Sequence, residues 1–200
     1  GVMLREDGYM FDDGTSWRLS ETQFLMTTTT ANAARVLTEM ERLLTIVWPN
    51  LRVHVSSVSD QWAGMAVAGP KSKNTLEKVI SDVDFSEDGL PFMGVADGKI
   101  GDFPVKVVRL SFSGERAYEV YCGSLHGTAV WESIMQAGSS FDITPYGTEA
   151  LGTLRIEKGH ISGPELDGRT TMSDVGLGKM ASSKKQYVGS VLKEREGFHD

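Results

Sequence analysis

The stretch SFSGERAYEVYCG, residues 111–123, reads as a turn followed by a strand, and it places Glu119 between Tyr118 and Val120. A strand favours apolar or β-branched residues at such a position. On the wet face of a sheet, Glu119 is simply solvated, the usual fate of a charged residue. Facing a pocket, its carboxylate accepts two hydrogen bonds side by side, so the matching ligand offers two adjacent N–H donors. A pterin ring, with its ring N–H and 2-amino group, is such a ligand. A second acidic candidate is Asp12-Asp13, within DGYMFDDGTSW. Asp-Gly is turn chemistry, so a plain hairpin turn accounts for the pair. Alternatively, one of the two aspartates faces a pocket and handles a proton or steadies a cationic centre. Arg155, in GTLRIEKG, is either a surface ion-pair partner or a fork that reaches a ligand carboxylate or Glu119 itself.

Other chemistries lack their residues. The histidines, His54, His126, His160 and His199, have no metal-ligand spacing, and no HExxH occurs, so no metal site is expected. Cys122 is the only cysteine, which rules out an internal disulfide and suits a reducing, cytoplasmic setting. No basic neighbour activates it, so it reads as a packing residue. Neither GxGxxG after a strand nor GxxxxGK[ST] is present, so dinucleotide or triphosphate binding by those loops is excluded. The net charge of −7 argues against a nucleic-acid partner, which needs a basic face. No apolar run approaches a membrane span. The chain starts Gly1-Val2-Met3-Leu4, strand-like and without an initiator methionine, and is expected to be a piece of a longer polypeptide.

The elements that must position these residues follow from periodicity. Residues 2–27 read as short strands with turns at Glu6-Asp7-Gly8 and Asp12-Asp13-Gly14. Apolar residues at Ala33, Val36, Leu37, Met40, Leu43, Leu44 and Val47 mark a helix with a threonine N-cap, ended by Pro49-Asn50. Two strand-like runs follow, 51–58 and 62–68, and then a helix opened by Gly69-Pro70 over KSKNTLEKVISDV. Beyond Ser86, residues 90–95, 103–110 and 117–122 look extended. A helix is expected over 125–137, stopped by Gly138, and another from Thr144-Pro145 to Gly159. Residues 160–200 are rich in glycine and polar side chains. The pattern is α+β rather than strict βαβ alternation.

The order of these segments carries more than any one of them. Asp12-Asp13 is followed by SFSGERAYEVY, AVWESIMQAG, PYGTEALGTLRIEKGHISGPELDGRTTMSDVGLG and a late KKQYVG. Over nearly all 200 residues this resembles the folate-binding aminomethyltransferase family founded on the T-protein of the glycine cleavage system. TTTTANAARVL, SDQWAGMAVAGPKS, LDGRTTMSDVGLGKM and SKKQYVG are similar to one branch, the C-terminal half of sarcosine oxidase α subunits. The resemblance implies a two-lobed fold, a ferredoxin-like lobe over 1–85 and a second α+β lobe over 86–200. It implies tetrahydrofolate as cofactor, with flavin and NAD elsewhere in the complex, and β, γ and δ subunits as partners. The implied reaction moves the one-carbon unit of oxidised sarcosine, an imine, to tetrahydrofolate to give 5,10-methylenetetrahydrofolate. The chain alone is expected to oxidise no sarcosine.

By the same resemblance Glu119 is the glutamate that accepts from the pterin, and Arg155 is the arginine of a Leu-Arg-Leu-Glu segment. Phe112 stands where the family has tyrosine, keeping ring packing and losing a hydroxyl, and Tyr118 joins the folate-binding set. Asp13 best matches the catalytic aspartate, with Asp12 as the alternative, because Gly14 replaces the usual apolar residue after the pair. Met172 stands where the family usually has proline. Two other readings remain: a T-protein or dimethylglycine-type aminomethyltransferase, and a folate-binding module without chemistry.

Overall fold

A computed structural model of the chain describes residues 1–192 and Arg195; His199 lies outside the described residues. Helices combine with antiparallel sheets, the α+β class. The chain divides into two compact units. One comprises Gly1–Ser57 with Ile161–Asp200, the other Val58–His160. Ser86 falls inside the second unit, because strands on both sides of it join one sheet.

In the first unit, β1 (Val2–Leu4) pairs antiparallel with β2 (Met10–Asp13), Met3 opposite Asp12 and Val2 opposite Asp13. The reversal between them is the expected turn at Glu6-Asp7-Gly8. There the Arg5 N–H donates to Tyr9 O at 2.9 Å, and Gly8 takes φ 90°. Asp12 and Asp13 are therefore ladder residues of β2 and not a hairpin turn, because both are paired with β1. A second hairpin joins β3 (Ser16–Arg18) to β4 (Phe24–Met26). A 3-10 turn, Thr30–Asn32, leads into α1 (Ala33–Arg42) and a π-helical turn, Leu43–Val47. Thr29 stands at the cap position, but its side chain makes no cap hydrogen bond. Residues 51–58 form no strand, despite their alternation, because no neighbouring segment pairs with them among the described residues. The late segment completes the core of this unit. Leu166 and Met172 pack with Leu4 and Met10, and the Met10 N–H donates to Thr170 O at 2.9 Å.

The second unit is built on a five-stranded antiparallel sheet. Its strands are β5 (Trp62–Ala68), β6 (Ile80–Ser81), β7 (Val95–Ile100), β8 (Phe103–Val108) and β9 (Ala117–Gly123), in the order β5-β9-β8-β7-β6. The helix expected after Gly69-Pro70 is shorter than its pattern. It spans α2 (Ser72–Glu77), and Ile80–Ser81 instead pairs with β7. Residues 90–94 are irregular and the strand starts at Val95. α3 (Gly127–Gly138) runs through Gly138 rather than stopping before it. α4 (Thr148–Lys158) begins after Gly147 and is closed by Gly159, whose φ of 82° suits a residue without Cβ. Leu76 of α2 and Val130 and Ile134 of α3 pack with Val105, Val107, Tyr118, Val120 and Cys122 of the sheet. Burying one face of β9 in this way decides which way every other side chain of β9 points.

Candidate functional site

From Tyr118 onward, β9 alternates between buried and partly exposed residues. Tyr118, Val120 and Cys122 enter the core, whereas Glu119 and Tyr121 share the opposite face. Glu119 lies opposite Ala66 of β5 and Val108 of β8, so its flanking positions are apolar. Only part of it reaches solvent. Burial pushes its carboxyl above the ordinary carboxylate range, and a hydrogen bond from Tyr121 partly opposes that. The Tyr121 hydroxyl donates to Glu119 Oε2 in a short contact; Oε1 has no hydrogen-bond partner among the described residues. The Tyr121 phenol is in turn pushed far up, by burial first and then by the Glu119 charge. Tyr146 lies near enough that the same charge raises its phenol, after burial.

Gly64, in β5, is directly opposite Tyr121. A Cβ at Gly64 would lie 2.8 Å from Tyr121 Cε1 and 3.1 Å from Cδ1. The ring thus lies over a residue that has no side chain, and this brings its hydroxyl to Glu119.

The other residues expected beside Glu119 are placed as follows. Tyr118 is fully buried on the core side, edge-on to Phe85 at 5.5 Å, facing away from Glu119. Phe112 stacks on His160, with ring centroids 5.7 Å apart and planes 11° apart. Arg155, near the end of α4, donates from Nη1 to His160 O at 3.2 Å. Phe112 and Arg155 therefore converge on His160, which sequence reasoning considered only as a metal ligand. Its approach to Phe112 spans 48 residues of chain, and nothing local signals it. Tyr121 was also missed, although a period of two singles it out as Glu119's neighbour.

In the first unit, Asp12 is completely buried. Its Oδ2 accepts from the Thr29 N–H at 3.2 Å, and its Oδ1 has no partner among the described residues. The Asn32 side chain donates to Phe11 O at 2.9 Å, so the start of α1 is tied to β2 twice. Asp13 is partly exposed. Gly14 has a steric reason of its own: a Cβ there would lie 1.9 Å from the Thr27 carbonyl oxygen. A groove of about 700 Å³ in this unit holds Arg42, but Glu6 at 2.6 Å and Glu39 at 2.8 Å already occupy that guanidinium.

No cluster of His, Cys, Asp and Glu suited to a metal occurs among the described residues. Cys122 is buried in the core, and burial raises its thiol. No helix among the described residues is long and apolar enough to cross a membrane.

Comparison with known proteins matches residues 1–185 to the family model of the GCVT N-terminal domain. The chain is 44% identical to the sarcosine oxidase subunit alpha of Rhizobium meliloti (strain 1021), over 99% of this chain and 20% of that protein. It is 44% identical to the sarcosine oxidase subunit alpha of Corynebacterium sp. (strain P-1), over 98% of this chain and 20% of the relative. An aminomethyltransferase of Halothermothrix orenii is 31% identical, over 97% of this chain and 53% of the relative. The chain thus spans about a fifth of the sarcosine oxidase subunits and about half of the aminomethyltransferase.

Proposed function

The chain belongs to the family of the GCVT N-terminal domain, and from that premise we propose that it is the tetrahydrofolate-binding part of a sarcosine oxidase α subunit. Its role is to capture the one-carbon unit of oxidised sarcosine, within a cytoplasmic complex with β, γ and δ subunits. The 44% identity to two sarcosine oxidase subunits, against 31% to an aminomethyltransferase, favours this branch over a T-protein. The observation that carries the reading is Glu119, a half-buried carboxyl with one oxygen held by Tyr121 and the other without a hydrogen-bond partner among the described residues.

When bound, tetrahydrofolate supplies the amine nitrogens that take up the one-carbon unit as 5,10-methylenetetrahydrofolate. The residues present fit such a group: Glu119 accepts from two adjacent N–H donors, and its apolar flanks Ala66 and Val108 limit competition from water. Phe112, stacked on His160, offers a ring face, and Arg155 holds the turn that carries His160. Asp13, the accessible member of its pair, holds or passes the proton that must leave an amine as a second bond to carbon forms. Asp12, buried and bound to the Thr29 N–H, fixes the backbone beside it. Excluding water protects an iminium from hydrolysis to formaldehyde.

Calorimetric titration of tetrahydrofolate into the chain and into Glu119→Ala tests this, with the Rhizobium meliloti subunit as the positive control. Binding that Glu119→Ala weakens by about 100-fold or more is expected, since charge-assisted hydrogen bonds contribute ~1.5–3 kcal/mol each. Binding by the control with none by the chain assigns part of the pocket to segments outside the chain. Equal binding by the chain and Glu119→Ala removes the assignment.

A further inference from the structure

We propose that Tyr121 and Gly64 are positioning residues for Glu119: Gly64 leaves the space in which the Tyr121 ring lies, and the hydroxyl fixes Oε2 so that Oε1 faces the ligand. This rests on the folate reading for the identity of the ligand, but not for the arrangement itself. Three independent features converge on it. Strand alternation puts residues 119 and 121 on one face of β9. The register sets Gly64 opposite Tyr121, and any Cβ there would enter the ring edge at 2.8 Å. The hydroxyl then donates to Oε2.

The consequence is a defined acceptor geometry. A free glutamate rotates about its last torsion, which is broad and two-fold. Held at Oε2, Glu119 presents Oε1 in one direction and keeps one lone pair of Oε2 for a second donor. A ligand with two adjacent N–H groups then meets a carboxylate already oriented, and no rotamer entropy is lost on binding. Since a phenol donates to a carboxylate, the contact favours the ionised form, which is also the form that accepts from the ligand. The other groups set around Glu119 do not replace this contact. Ala66 and Val108 are apolar, Lys106 opposite Tyr121 is paired with Asp97 at 2.5 Å, and Tyr146 is pushed towards its neutral form by burial and by Glu119.

Two readouts test the device. The first is the pH titration of the Glu119 carboxyl in the ligand-free chain, followed by carbon-13 NMR and assigned by its loss in Glu119→Gln. The second is tetrahydrofolate affinity by calorimetry between pH 5 and pH 8. Tyr121→Phe keeps the ring and removes the donor. The Glu119 titration is expected to move to higher pH, and affinity at pH 7 to fall about five- to tenfold, the worth of one hydrogen bond. Gly64→Ala, which displaces the ring, is expected to move both readouts in the same direction. If Tyr121→Phe leaves the Glu119 titration where it was, the device is overturned, even if affinity falls, because Tyr121 then touches the ligand itself. If the titration moves while the wild-type chain and the control subunit both fail to bind tetrahydrofolate, the device stands and the folate reading falls.

Discussion

The two acidic candidates sit in contrasting surroundings. Glu119 is the third residue of a seven-residue strand, flanked on both sides by paired strands, and its hydroxyl partner is two residues away. Asp12 and Asp13 end a four-residue strand in a small hairpin, and Asp12 is held by Thr29 from 17 residues further on. The first arrangement is fixed by local periodicity; the second depends on where a distant segment returns. A site on a wide sheet is thus set up by its own strand, whereas a site on a hairpin rim borrows its order from the helix entrance beside it.

The largest effect should separate the chemistry of one site from the binding of the other. In the assembled enzyme, Asp13→Asn is expected to lower folate-dependent one-carbon capture by about 10²–10⁴-fold, the range for a lost general acid or base. Tetrahydrofolate affinity should stay near that of the wild type. The measurement is the ratio of 5,10-methylenetetrahydrofolate formed to formaldehyde released. An unchanged ratio would favour a binding module without chemistry, and the contrast between an acid-handling rim and a binding strand would collapse.

A pair of glycines sharpens the contrast in stability. At Gly14 an added Cβ meets a backbone carbonyl at 1.9 Å, and at Gly64 it meets the edge of a side-chain ring at 2.8 Å. A carbonyl in a hairpin cannot rotate away, whereas a ring can. Gly14→Ala is expected to cost about 1–3 kcal/mol or more, the range for overpacking. That corresponds to a melting temperature lower by roughly 2–4 °C per kcal/mol. Gly64→Ala should cost about 1 kcal/mol or less and act on affinity instead. Equal melting temperatures for the two variants would show that the rim hairpin yields as readily as a side chain.

The same contrast explains what was legible in the sequence. The strands 62–68, 103–108 and 117–123 and the helix 127–138 follow their periodicity, because each buries one face in a shared core, whereas the helix 148–158 buries no residue and was legible from its closing Gly159. Residues 51–58 carry the same alternation and form no strand, since pairing depends on a neighbour and not on pattern. Glu119 was readable as a candidate, and alternation should have pointed to Tyr121 rather than Tyr118 beside it. The stack of Phe112 on His160 and the tie from Asp12 to Thr29 were not readable, because each joins segments whose approach is set by tertiary packing. Gly14 looked like a departure from the family pattern. The Thr27 carbonyl accounts for it locally.

The smallest effect is a dependence on pH, and it has opposite signs for stability and for binding. Burial raises the Glu119 carboxyl in the folded chain, so the native state holds a proton that the unfolded chain releases between the ordinary value and the raised one. Stability then falls as pH rises through that window and levels off above it, because the unfolded state binds fewer protons there. Glu119→Gln keeps an acceptor for Tyr121 and carries no charge, so it should remove this part of the decline. Its melting temperature should gain on the wild type from pH 4 to pH 8. Tetrahydrofolate affinity should run the other way in the wild type, improving through the same window as the accepting carboxylate forms, and should be weak and flat in Glu119→Gln. Thermal melts and calorimetry over one pH series measure both. A wild-type stability curve parallel to that of Glu119→Gln would mean that Glu119 is solvated like any surface carboxylate, and the sheet site would lose the feature that distinguishes it from the rim.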